Sequence, residues 1–432
     1  DKEENGSWNT TCMRRRMARK AARMAFAVMA ILLGAMVTGL VIDGIGFTGI
    51  VLTFLAVVAA LAVFGTFPRM KVPDLAALNR GDVRSMVART ELWLEAQRPA
   101  LPAPAVNLID QIGVQLDGLG LQLEGVDPAE PAVSEVRKLV GEHLPGMVES
   151  YRRIRNTLRF LLANLADFNA AKDAVQPDSM LEIDRYALAM TAQMQAEVLK
   201  SFEQYEFQPA MSRLQHFCSE DLGSFYLDVL KDRLYTSAPK SLARRSAQTA
   251  LLHITQTLLK LMAPILSFTA EEAWGILCAS TLAEQPDTSR LTIFTECYHS
   301  VPAIAEADTL QQRWSRLREI RSLVTRKLEE LRTAGSIGSS LQGEVELTAQ
   351  GADLALLQSV AEQLPFILIV SKVSVHAAAA GAQSELLISI APSQHKKCER
   401  CWHWREDIGH DAEHPDICGR CVSNLNEAKA AG

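Results

Sequence analysis

Four cysteines near the C-terminal end, Cys398, Cys401, Cys418 and Cys421, fall in two C-x-x-C turns separated by 16 residues. A two-residue gap lets both sulfurs of a turn reach one tetrahedral ion, and four soft thiolates close the shell of a zinc ion. A closed shell leaves no open position for a catalytic water, so one structural zinc is expected. His403, His410 and His414 lie between the pairs and can compete as ligands. A pair of disulfides or of redox-active turns is the other reading, but no secretory mark accompanies this end and no βαβ pattern surrounds either pair. The work of such a knuckle lies in what it presents: Arg400, Trp402, Trp404, Arg405 and Arg420.

The elements that must position this knuckle occupy a chain of 432 residues, room for roughly two to four domains. A net charge of -6 excludes a generally basic nucleic-acid coat, so any RNA contact must use local basic faces. Cys12, Cys218, Cys278 and Cys297 are scattered without a disulfide framework, which suits a reducing cytoplasm. The chain starts at Asp1 rather than methionine, consistent with a fragment of a longer reading frame, with Met13 and Met17 as conceivable internal starts.

Arg14, Arg15, Arg16, Arg19, Lys20 and Arg23 precede a long apolar run. Met24 to Ile42 carries no charge over 19 residues, Asp43-Gly44 makes a turn, and Ile45 to Phe67 carries none over 23. Each segment is long enough to cross a bilayer, and basic residues at both outer ends predict a transmembrane hairpin with both ends in the cytoplasm. A juxtamembrane region from 73 to 149 follows, broken by prolines and expected to hold short helices. Val83, Met86, Val87 and Leu94, then Val133, Val136, Leu139 and Val140, have helical spacing typical of core.

From about residue 150 the texture changes to long helices. Tyr151, Ile154, Leu158, Leu161, Leu162, Leu165 and Phe168 recur at three- and four-residue steps, with Arg152, Arg155 and Arg159 along one edge. Such an edge is either a solvated face or a row of phosphate contacts. Ser179 with Glu182 and Thr269 with Glu272 have capping-box spacing. Pro209 opens another helix, and one from Ser241 to Met262 carries Arg244 and Arg245. A loop with one short strand at Leu291 to Phe294 leads to a long amphipathic helix over Ala307 to Arg332, which Gly335 to Ser340 breaks. Strand-like runs at Val345 to Leu347, Phe366 to Val370 and Leu386 to Ile390, with a helix near Asp353 to Gln363, predict a small α/β module before the knuckle.

Residues 150–432 resemble the C-terminal part of a bacterial isoleucyl-tRNA synthetase. The residues that carry the likeness are SYRRIRNTLRFLLANL from Ser150, FYLDVLKDRLYT from Phe225, ARRSAQTAL from Ala243, MAPILSFTAEEAW from Met262, and CERCWHW with ICGRCVSN at the cysteine end. The resemblance implies a helical anticodon-binding domain, a region closing over the anticodon stem, and a zinc-binding domain with Cys398, Cys401, Cys418 and Cys421 as ligands. The family's HIGH and KMSKS motifs are missing from this chain. The family's ATP site is therefore not expected here, and neither is isoleucine activation by this chain alone. Residues 1–149 resemble no family, and the seam falls near Val148 to Tyr151.

The expected fold is mainly α. A transmembrane hairpin (1–72) and a linker (73–149) precede an antiparallel helix bundle (150–280), a loop and long helix (281–342), an α/β module (343–392) and the zinc knuckle (393–432). The expected function is binding of isoleucine tRNA in support of translation, through Arg152, Arg155, Arg159, Arg244, Arg245, Arg400, Trp402 and Arg420. No protein partner follows from the sequence. Residues 150–432 are expected in the cytoplasm, and if residues 1–149 belong to the same protein it is anchored at the inner membrane through 24–67 with both ends cytoplasmic. The alternatives are a membrane-tethered protein-interaction module and an artefactual joining of two genes.

Overall fold

The computed structural model describes residues 53, 55–57, 72–80, 82–101, 103–123, 126–127, 130–281, 292–379 and 386–431. They fall into two compact units, Asp1–Arg152 and Arg153–Gly432.

In the first unit, α1 (Val83–Gln97) starts at Asp82, whose carboxylate accepts from the Ser85 amide at 3.1 Å. Helix α2 spans Ala103–Gln122 and α3 spans Pro131–Lys138, its first turn set by the fixed φ of Pro131. Leu78, Met86, Trp93, Leu94, Ile109, Leu116 and Val140 form its core. Gly141 packs closely there: a Cβ would sit 2.8 Å from the Met86 sulfur, so that side chain would have to shift. Of the residues expected as core, Leu139 is instead exposed. Helix α4 (Leu144–Leu165) contains the division between the units.

The transmembrane hairpin is corrected. Among the described residues no helix is long and apolar enough to cross a membrane. Apart from Thr53, Leu55, Ala56 and Val57, the segment 24–67 lies outside the described residues. The fold of the described chain is helical with two small sheets and a cysteine cluster.

In the second unit, Ile154, Leu158, Leu161 and Leu165 of α4 are buried, as their spacing implies. The bundle continues with α5 (Glu182–Glu203), α6 (Phe207–His216), α7 (Leu227–Thr236), α8 (Leu242–Met262) and α9 (Ser267–Ser280). Helix α8 packs against α5, α7 and α9 and is buried along nearly its whole length. A π-helical stretch, Phe217–Tyr226, joins α6 to α7. Its wide turn requires Gly223, where a Cβ would lie 2.9 Å from the Cys218 carbonyl oxygen. Asp184, fully buried, accepts from Tyr226 Oη at 2.8 Å, Arg233 Nη2 at 2.6 Å and the Ser246 hydroxyl, tying α5 to α7 and α8.

Helix α10 (Ala307–Thr333) lies on α5 and leads into β1 (Gly343–Ala349). Then come α11 (Gly351–Ser359), α12 (Leu364–Leu368), β2 (Lys372–Ala377) and β3 (Leu387–Pro392). The sheet order is β2-β1-β3, with β2 parallel and β3 antiparallel to β1, and Val345 opposite both Val373 and Ile390. Val345, Leu347 and Ala349 alternate inward onto the core shared with the bundle.

Several local expectations change. The run Phe366 to Val370 is not a strand, because Pro365 opens the short helix α12 and Ile369 closes it in the left-handed region at φ 55°. Five apolar residues fit a buried helical turn as well as a strand, so periodicity could not separate the two. Residues 293–295 form a 3-10 turn capped by Thr292. Neither expected capping box forms. Leu181 and Leu266 occupy the N-cap positions of α5 and α9, and the Leu181 amide donates to Ser246 of α8.

Candidate metal centre and nucleic-acid interface

The knuckle begins with β4 (Lys396–Lys397), paired antiparallel with β5 (Trp404–Arg405), and ends in α13 (Gly419–Ala431). The hairpin carries Cys398 and Cys401 at its turn, where the Cys398 amide donates to the His403 carbonyl at 2.8 Å. Cys418 and Cys421 sit at the start of α13, one helical turn apart. All four thiols are buried, and their sulfurs lie within 4.8 Å of one another.

Cys398 Sγ is 3.9 Å from Cys421 Sγ, and Cys401 Sγ is 3.7 Å from Cys418 Sγ. Those separations exceed a disulfide bond of about 2.05 Å and match the edge of a tetrahedron with Zn–S bonds of about 2.3 Å. Hydrogen bonds with Cys401 and Cys421 lower the Cys418 thiol, while those with Cys401 and Cys418 raise Cys421, so the thiols share protons until a metal displaces them. The cluster fits one zinc with no position left for a catalytic water.

No histidine joins the cluster among the described residues. His403, 2% exposed, turns its ring instead toward Asp232 (Nε2 to Oδ1 3.9 Å) and edge-on to Phe366 (5.6 Å). Burial lowers its pKa. His410 is exposed, and the His414 amide donates to Asp411 in a turn.

The knuckle is seated on its neighbours by polar contacts. Arg420 Nη1 and Nη2 reach the two carboxylate oxygens of Asp232 on α7 at 2.6 and 2.7 Å. The same guanidinium lies over Phe366 of α12, 5.0 Å from the ring centre. The Trp404 amide donates to Ser371 Oγ at 2.6 Å, while Ser371 donates on to the Leu341 carbonyl. None of Asp232, Phe366 or Ser371 stood out in the sequence.

The basic residues singled out from the sequence divide by what they touch. Arg155 forms a two-pronged bond to Glu272 on α9 (3.0 and 3.2 Å), and Arg152 meets Glu149 at 2.8 Å one turn before it. Arg244 donates to Asp167 and the Leu234 carbonyl. Arg245 is buried on Asp167, Gln248 and Asp173. Arg400 donates to the Cys421 carbonyl at 3.2 Å, bracing the metal loop. Of the residues singled out for RNA contact, Arg159 and Trp402 stand exposed without a hydrogen-bonding side-chain partner among the described residues. Trp402 is 59% exposed, has φ 64°, and carries Lys397 Nζ over its ring at 5.2 Å.

Two family models match the sequence: an anticodon-binding domain of tRNA ligase over residues 184–347, and a zinc finger found in FPG and IleRS over residues 396–424. The chain is similar to isoleucine–tRNA ligases over part of their length. The chain is 63% identical over 309 residues to the isoleucine–tRNA ligase of Bordetella petrii, covering 72% of this chain and 32% of that protein. It is 56% identical over 284 residues to the enzyme of Cupriavidus taiwanensis, covering 66% and 29%. It is likewise 56% identical over 298 residues to isoleucine–tRNA ligase 1 of Burkholderia mallei, covering 69% and 30%. The chain thus spans about a third of the length of these relatives. A match over 309 of 432 residues also has to reach upstream of Ser150. The cysteine cluster falls inside the zinc-finger match and is a structural zinc centre.

Proposed function

We propose that this chain binds the anticodon arm of an isoleucine tRNA, with the bundle as the platform and the zinc knuckle as a docked grip. The observation that carries the reading is the anticodon-binding match over 184–347 beside a zinc finger that Arg420 and Asp232 fix to α7. Trp402 offers an exposed ring to a base and Arg159 a free guanidinium to a phosphate. Arg155, Arg244, Arg245 and Arg420 serve the grip indirectly, because their charges already hold elements in place.

The division of labour assigns the bundle to 150–280, the long helix to 281–342, the α/β module to 343–392 and the knuckle to 393–432. In the longer relatives, which are isoleucine–tRNA ligases, such binding would serve the joining of isoleucine to its tRNA. The proposal assigns this work to the cytoplasm, where thiolate ligands stay reduced.

Titration of the full chain with isoleucine tRNA and with a non-cognate tRNA, at several salt concentrations, tests this reading. The expected result is tighter binding of the isoleucine tRNA with affinity falling steeply as salt rises. Equal, salt-insensitive binding of both would overturn it.

A further inference from the structure

Each C-x-x-C turn of the knuckle carries an arginine directly before its second cysteine: Arg400 in the first and Arg420 in the second. Arg400 stays inside the knuckle, where it donates to the Cys421 carbonyl at 3.2 Å. Arg420 instead directs Nη1 and Nη2 to Asp232 of α7, at 2.6 and 2.7 Å. Its Nε is buried without a hydrogen-bond partner. Burial works against the Arg420 charge, yet Asp232 and the Cys401 sulfur, both acting on the guanidinium, outweigh it and raise the Arg420 pKa. One side chain therefore answers to a carboxylate of the bundle and to a sulfur of the metal cluster.

The charge on that sulfur depends on the metal. Without an ion the four thiols share protons and the cluster stays close to neutral. Four thiolates around a divalent ion leave two excess negative charges in a buried centre, and a cation held beside them stabilises that charge. The metal-bound state thus gives the guanidinium a stronger acceptor at Cys401. Docking is built from the same turns. His403, two residues after Cys401, faces Asp232 at 3.9 Å, and its carbonyl accepts from the Cys398 amide at 2.8 Å. Phe366 of α12 lies under both, 5.0 Å from the Arg420 guanidinium and 5.6 Å from the His403 ring. The contacts to Asp232 and Phe366 come from backbone whose path the metal fixes.

We infer that Arg420 is a positioning residue of the zinc centre, holding the Cys401 thiolate on one side and Asp232 on the other, so that zinc retention and docking of the knuckle are linked. Linkage is reciprocal. Zinc strengthens the seat on α7 and α12, and the seated arginine slows the loss of zinc.

The test uses the full chain and its Arg420→Met and Arg420→Lys variants, with release of zinc to an excess of a colorimetric chelator as the first readout. Groups that hydrogen-bond to metal ligands change metal affinity by about 10- to 100-fold when removed, and Arg420→Met is expected to lose zinc faster by a factor in that range. Arg420→Lys, which keeps the charge, should recover most of the difference. Cobalt(II) in place of zinc supplies a readout that simple loosening would not move. Removing a donor from a thiolate raises its lone pairs, so the sulfur-to-cobalt charge-transfer band should shift to longer wavelength in Arg420→Met and stay near the parent's in Arg420→Lys. Faster release with an unshifted band would overturn the thiolate contact. The reciprocal arm needs no variant and remains available should Arg420→Met fail to fold: hydroxyl-radical labelling of Phe366 in the parent should rise when zinc is chelated and fall when it is restored. Labelling indifferent to zinc would overturn the linkage.

Discussion

Arg420, one residue before the last cysteine of the metal cluster, makes a two-pronged ion pair with Asp232, which lies 188 residues earlier on α7. The knuckle is therefore oriented by the bundle as well as by its metal. Asp232→Asn keeps the shape but removes the charge. It should retain zinc at one per chain, lower the melting temperature, and weaken tRNA affinity without any loss of an RNA contact. Hydrogen bonds to charged groups are worth about 1.5 to 3 kcal/mol each, so a tRNA affinity loss near tenfold is expected. Unchanged affinity in an otherwise intact variant would show that docking does not matter for binding.

Chelation of the metal has a larger and more local effect. Removing zinc leaves four buried thiols that attract no common partner, and the segment from Lys396 to about Ala431 should lose its structure while the bundle keeps its helices. Hydrogen exchange would show fast exchange confined to that segment, reversed by adding zinc. Cys398→Ser should give the same pattern irreversibly.

Trp402 combines exposure with a positive φ that β-carbon-bearing residues rarely adopt. Trp402→Gly is expected to leave stability equal or slightly higher, since glycine occupies that region freely. The same change should weaken tRNA binding by about 1 to 3 kcal/mol, the usual value of base stacking on an aromatic ring. A large loss of stability in place of affinity would mean that the ring packs within the protein.

The buried carboxylate of Asp184 has a structural role. Asp184→Ala strands Arg233 and leaves the Tyr226 and Ser246 hydroxyls without their acceptor. Breaking a buried pair by removing one partner costs about 3 to 5 kcal/mol. Urea denaturation followed by helical circular dichroism should show that loss directly.

Acid should destabilise the bundle through a histidine pair. His253 Nδ1 lies 2.9 Å from His299 Nε2, fixing the 293–304 segment to α8. Burial lowers both groups, and the neighbouring His253 and Lys260 help push His299 to about 4. Lys260 also pairs with Glu296 at 3.0 Å on the same segment. Because the folded pKa is below the unfolded one, the unfolded chain binds more protons in between. The stability is thus present above about pH 6.5 and lost as pH falls toward 4. His299→Gln should flatten the dependence of the urea midpoint over that window.

Much of this was legible because spacing encodes it. The cysteine pairs, the apolar stripe of α4, the extent of α8 and that of α10 each follow from short-range pattern, and the structure keeps them. The arginines were harder. Composition shows that Arg155, Arg244, Arg245 and Arg420 are basic, but whether a guanidinium faces RNA or Glu272, Asp167, Asp173 and Asp232 depends on residues far away in sequence. The π turn before α7 was invisible because its apolar residues also fit an ordinary helix. The hairpin reading rested on hydropathy alone, and no helix among the described residues supports it.

The distance along the chain between Asp232 and Arg420 also bears on kinetics. A contact that closes so long a loop is among the last to be rewarded during folding, whereas the helices of the bundle depend on local contacts. Its strength should be invisible to the folding rate and fully expressed in the unfolding rate. The pair then acts as a residence-time element, setting how long the knuckle stays seated on α7 between excursions.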